Sequence, residues 1–91
     1  MGLNGNDLAL IDQLLAGSGG ATVGAVAGDL RARLPGMVVL SCDAADVLEE
    51  PWRSYAAIDL HFVDTRNHCT GMTRDPAAAT GLLLATRGER A

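Results

Sequence analysis

The sequence predicts an α+β domain: an N-terminal helical hairpin packed on one face of a small antiparallel sheet, in the order α-α-β-β-β-(short α)-β. Three observations predict it. Apolar residues recur at helical spacing twice before Pro35. They then alternate at period two between Ser54 and Asp64. Short turn-like connections between the later segments favour hairpins, and hence antiparallel pairing with the helices gathered on one side. With 91 residues, one domain spanning residues 1–91 is the natural count, with an ordered core over residues 7–87.

Each element has its own signal. Residues 1–6 are polar and Gly-rich and are expected to fray. Asn6 or Asp7 can cap a first helix, in which Leu8, Ile11, Leu14 and Leu15 share a face until Gly17 ends it. Gly17, Ser18, Gly19 and Gly20 form a flexible turn. Thr22 caps a second helix carrying Val23, Val26, Ala27, Leu30 and Leu34 on one stripe, and Pro35 and Gly36 stop it. The spacing of Gly24 and Gly28 would let another helix approach closely. Residues 37–42 are short, apolar and β-branched, and read as a strand. The acidic stretch 43–50 has room for one helical turn before Pro51. Residues 54–64 read as one strand with Ala56, Ile58, Leu60 and Phe62 on the core side, and residues 68–73 return as its hairpin partner. Asp75 and Pro76 start a short helix, Asp as cap and Pro at the first helical position. Beyond it, Gly81 followed by a strand at residues 82–86 is the preferred reading, and a single helix over residues 76–86 is the alternative.

Composition excludes several functions. The net charge is −4, and all seven basic residues are Arg. An acidic surface with scattered Arg fits a phosphate backbone poorly. Trp52, Tyr55 and Phe62 are the only aromatics, too few for a base-stacking platform, so nucleic acid is not an expected partner. The absence of Lys removes Schiff-base chemistry and the P-loop lysine. The longest apolar runs are far short of the ~20 residues a membrane span needs. Residues 1–7 lack a basic and apolar leader, which points to the cytoplasm. Cys42 and Cys69 are the only cysteines, and they are expected to be reduced thiols rather than a disulfide framework. A chain this small buries a thin core, so a homodimer would add useful burial.

The motifs that suggest chemistry mostly have simpler explanations. The glycine run after the first helix lacks the Lys-Ser/Thr of a phosphate loop and does not follow a strand. His61, His68, Cys42 and Cys69 are the candidate metal ligands, but no CxxC or HxxxH spacing joins them. A hairpin loop of two or four residues pairs Val63 with His68 and Phe62 with Cys69. His61, His68 and Asp59 then share the polar face, with the two His diagonal at about 7–8 Å. A three-residue loop brings Cys69 beside His61 instead. No residue stands out as the third member of a Cys-His catalytic pair. Asp43, Asp46, Glu49 and Glu50 lack the spacing of a calcium loop and read as a solvated segment or a docking surface for a basic partner. Trp52, between Pro51 and Arg53, is either a plug over the core or a partner anchor.

The second half carries a pattern of its own. An Arg-Ala-Arg-Leu-Pro-Gly helix end at residues 31–36 is followed by the Cys42-Asp43 segment, Val63-Asp64 and His68-Cys69. Then comes Thr73-Arg74-Asp75-Pro76-Ala77-Ala78-Ala79-Thr80-Gly81-Leu82. Over residues 21–87 this resembles a family of small uncharacterised bacterial proteins encoded in nitrogen-fixation gene clusters. The resemblance implies a protein made alongside nitrogenase, in contact with it, with its cofactor-assembly proteins or with redox proteins. It transfers no catalytic residue. The expectation is therefore a non-enzymatic accessory or interaction protein without a cofactor, with Trp52, Asp59, His61 and His68 as its partner-binding residues. The alternative is a small metal or redox module built on His61, His68 and a cysteine.

Overall fold

The computed structural model describes residues 3–17, 22–55, 58–65 and 71–87. Two helices precede a five-stranded sheet, as the α+β reading requires: α1 (Gly5–Ala16), α2 (Val23–Arg33), β1 (Val38–Asp43), β2 (Arg53–Ser54), β3 (Ile58–Asp64), β4 (Gly71–Thr73) and β5 (Gly81–Thr86). Single 3₁₀ turns at Ala44–Asp46 and Pro76–Ala78 complete the elements of the described residues.

Helix α1 starts earlier than expected. Asn4, not Asn6 or Asp7, is its cap, because Asn4 and Asp7 satisfy each other's backbone. The Asp7 N–H donates to Asn4 Oδ1 at 2.8 Å and the Asn4 N–H donates to Asp7 Oδ2 at 3.2 Å. The segment ahead of it is also held: the Leu3 N–H donates to the Pro76 carbonyl at 2.9 Å, and Leu3 is buried, so the core begins before residue 7. Thr22 caps α2 through the Ala25 N–H, as the sequence indicates. Gly36, at φ +91°, turns the chain out of that helix in a conformation only glycine adopts freely. Gly24 and Gly28 are exposed and no other helix approaches them among the described residues, so their spacing does not serve helix contact.

The sheet is mixed rather than wholly antiparallel. Its order is β1-β5-β3, with β2 and β4 both pairing with the far side of β3. Strand β5 is antiparallel to β3 but parallel to β1. Strands β1 and β3 are thus held apart by the last strand, which lies between them. Gly81 marks the tightest point of that insertion. A Cβ there would lie 2.8 Å from Val63 Cγ2 and 3.0 Å from the Val38 carbonyl oxygen.

The expected single strand over residues 54–64 is two strands. The chain reverses after Ser54, so Arg53 and Ser54 pair back onto Leu60 and Asp59. The partner of β3 at its other end is also displaced. Val63 faces Met72 and Phe62 faces Thr73, in place of His68 and Cys69. The tight turn assumed from Asp64 to Asn67 is a longer connection, which moves the pairing by four residues (72 − 68 = 4). Residue 81 opens a strand, which settles the C-terminal alternative in favour of helix-turn, Gly, strand.

The helices cover one face. Ile11, Leu15, Val26, Ala27, Leu30 and Leu34 meet Val39, Ile58, Leu60, Phe62, Leu82 and Leu84 in one core cluster. Leu30, Leu60, Leu82 and Leu84 are completely excluded from water, and burial of such side chains supplies the hydrophobic driving force. At the sheet's edge, Asp12 of α1 accepts from Tyr55 Oη at 2.8 Å and from Arg53 Nη1 at 3.0 Å, tying the helix layer to the β2–β3 hairpin.

Candidate functional site

The outer face of the sheet, opposite the helices, is built from the other half of each strand's alternation. Register arranges it in three rows. Val38, Gly81, Val63 and Met72 form the first, and Leu40, Leu83 and His61 the second. Cys42, Ala85, Asp59 and Ser54 form the third. The first two rows are apolar apart from His61. Val63 and Ala85 are buried, yet neither belongs to the inner core cluster, so the outer face has a cover of its own over part of its area. The cover does not reach its edges: Val38 is 41%, Leu40 40% and Met72 38% exposed.

Part of that cover comes from the connection between β1 and β2. This segment must pass from one side of the sheet to the other, and it brings Glu49 and Glu50 beside His61. Strands β2 and β4 occupy the same side of β3 but diverge opposite His61. The seam between them opens into a cleft of about 350 Å³. Trp52, Phe62 and Met72 form its apolar walls. His61, Thr73, Arg74 and the two glutamates supply its polar groups.

His61 is the most unusual residue of this site. It is 3% exposed, although the alternation places it on the face expected to be open and polar. Burial pushes its imidazole below the ordinary 6.5, against the pull of Asp59 and Glu49, so the ring is neutral at pH 7. Asp59, two residues earlier, lies against Arg87, whose Nε is 3.1 Å from its Oδ1. The contact is an ion pair without an aligned hydrogen bond, since that oxygen is otherwise buried without a partner. Arg87 also donates to the Tyr55 carbonyl. Trp52 stacks at a tilt on Phe62, ring centres 4.8 Å apart, and carries the Arg53 guanidinium 4.6 Å above its ring. It is half-buried and packs against the core. Arg74 Nη1 donates to the Glu50 carbonyl at 3.3 Å.

The sequence-derived candidates are therefore only partly brought together. Trp52 and His61 share the cleft, Asp59 lies one row away from it, and His68 and Cys69 fall outside the described residues. Cys42 sits on the outer face two strands from His61, a separation of about 10 Å, too far to share an ion with ligand bonds of about 2.0–2.3 Å. Burial, with Asp46 and Asp43 nearby, pushes the Cys42 thiol up, away from the reactive thiolate. Among the described residues no group of three or more His, Cys, Asp or Glu side chains is placed to hold a metal. Thr22, Asp75 and Pro76 act as structural caps, Asp75 accepting from the Ala77 N–H at 3.0 Å.

Sequence reasoning missed that Glu49 and Arg74, far apart in the chain, wall the same cleft as His61. It also missed the Asp12–Tyr55–Arg53 tie. The one available hint was Asp12 itself, a charge inside the first helix's apolar run. The Tyr55 hydroxyl there is pushed up to about 12, first by burial and then by its bond to Asp12. That bond and Arg53 together hold Asp12 low. No helix among the described residues is long and apolar enough to cross a membrane.

A model for a family of unknown function, DUF6129, matches residues 12–87, and the chain belongs to that family. Neither the curated proteins nor the solved structures give a significant match.

Proposed function

We propose that this domain is a non-enzymatic accessory protein that acts by binding other proteins, with the outer face of its sheet as the contact surface. One observation carries the reading: the two adjoining apolar rows of that face reach solvent at Val38, Leu40 and Met72, while every helix lies on the opposite side. Large apolar side chains left exposed at the edges of an apolar face are candidates for protein contacts. A second copy of the chain is one partner of the right chemistry. Among the described residues β1 pairs with β5 alone, and on its other edge the Val39 carbonyl accepts from Arg31 Nη2 at 2.7 Å, so a second copy would meet the side chains of Val38 and Leu40 rather than an open strand edge.

On the sequence resemblance alone, we extend the proposal to a setting: the cytoplasm of nitrogen-fixing cells, with nitrogenase, a cofactor-assembly protein or an associated redox protein as partner. The test compares three tagged forms in capture from such cells: wild type, Leu40→Glu on the outer face, and Asp29→Arg on the exposed side of α2. Circular dichroism checks that all three are folded. Wild type and Asp29→Arg are expected to retain the same partners, nitrogenase components among them, and Leu40→Glu to lose them. Retention by Leu40→Glu with loss by Asp29→Arg would place the contact surface on the helices. Retention of partners unrelated to nitrogen fixation would remove the setting but leave the surface.

A further inference from the structure

We propose that the seam cleft is a binding site for a guanidinium group, with His61 and Glu49 as its acceptors and Trp52, Phe62 and Met72 as its walls. The starting point is His61. Its side chain is more than nine-tenths buried, lines the cleft, and takes part in none of the hydrogen bonds of the described residues. The buried side-chain atom left without a partner is Asp59 Oδ1, whereas the His61 ring nitrogens are not sealed off and can meet an occupant of the cleft. A neutral imidazole offers one donor and one acceptor, so an occupant with N–H groups gives it the missing bond.

The charge of the cleft selects a cation. Glu49 and Glu50 stand in its wall, and Glu49 acts electrostatically on His61. The one cationic lining group among the described residues, Arg74, is turned onto the Glu50 carbonyl. The chain as a whole carries −4, which favours the approach of cations. The apolar walls then select among cations. An ammonium is compact and strongly hydrated. A guanidinium is flat and weakly hydrated, and its fork reaches two acceptors at once, here a carboxylate and a ring nitrogen. The cleft opens to solvent, so the group can arrive on an alkyl stem from an Arg side chain of a partner or from a free small molecule. This inference shares Met72 with the outer-face reading but does not rest on it, because Val38 and Leu40 lie outside the cleft.

The experiment follows the NMR signals of the His61 imidazole and the Trp52 indole during titration with four probes. These are a blocked Gly-Arg-Gly peptide, its Gly-Lys-Gly and Gly-Glu-Gly counterparts, and free arginine. The Arg peptide is expected to give saturable shifts of both signals, with the Lys peptide at least about tenfold weaker. Glu49→Gln should weaken the Arg peptide by about tenfold. Asp46→Asn, in the same connection but outside the cleft, should leave it unchanged. Binding should fade as pH drops through the His61 titration, with Asp59, Glu49, Glu50 and Arg74 the charged groups around that ring. Peptide binding tighter than free arginine identifies a protein side chain as the source, and the reverse identifies a small molecule. Absence of saturable shifts with either guanidinium probe, or an unchanged affinity in Glu49→Gln, overturns the proposal. So does binding of the Glu peptide that is abolished by Arg74→Ala.

Discussion

The two faces of the sheet are made by the same strands, residue by alternate residue, and they do different work. The inner face meets two helices and is closed: Leu60, Leu82 and Leu84 have no exposure at all. The outer face is apolar in the same strands, but its cover is partial and its edges are open at Val38, Leu40 and Met72. Burial on the inner side stabilises the fold whether or not anything else is present. On the outer side, Val63 and Ala85 are buried as well, and it is the edge residues Val38, Leu40 and Met72 that stay exposed. The contrast separates residues closed inside the domain from residues left exposed at the edges of the outer face.

The largest expected effect lies on the inner face. Leu84→Ala should cost about 2–5 kcal/mol in urea unfolding, from lost transfer energy and the cavity left behind. Leu40→Ala, on a neighbouring strand but half in water, should stay within about 0.5 kcal/mol. Gly81→Ala comes next. It lies on the outer face, and its added methyl would press on Val63 and the Val38 backbone, so a loss of about 1–3 kcal/mol is expected. A smaller loss would show that β1 can move away from β3 at the insertion point.

Two pH effects are smaller and sharpen the same contrast. Because burial lowers the His61 pKa in the folded state, its neutral form is favoured. The stability that this contributes is present above about 6.5, the usual unfolded value, and is lost as pH falls below it. The difference in urea midpoint between wild type and His61→Gln should therefore vary with pH below 6.5 and be flat above it. Tyr55, at the helix side, has the opposite sign. Its pKa is raised to about 12, so its contribution is complete below the unfolded value of 10 and is lost as pH rises towards 12. Tyr55→Phe should remove that alkaline loss, read from the midpoint between pH 10 and 12.

Much of the inner face was legible in the sequence because local patterning determines it. Ile58, Leu60 and Phe62 alternate, the two helical stripes are clear, and Thr22 and Asp75 cap where capping chemistry puts them. The outer face was less legible because its structure depends on long-range choices. No residue announces that β5 inserts between β1 and β3, although Gly81 is the position that permits it. The four-residue displacement opposite β3 came from a connection longer than a tight turn. The burial of His61 arises from surroundings that include Glu49 and Glu50, and alternation alone assigned His61 to an open face. The cleft itself exists only because β2 and β4 share one side of β3.

The most direct test of the separation between the faces is urea unfolding of Leu40→Glu, measured at two widely spaced protein concentrations. A charge placed on a contact surface should leave the isolated domain intact. The expected midpoint is that of wild type, or a loss that disappears on dilution because wild type gains stability from self-association. A loss of about 2 kcal/mol or more that is the same at both concentrations would show that the outer face is part of the core. That result would contradict its assignment as a contact surface.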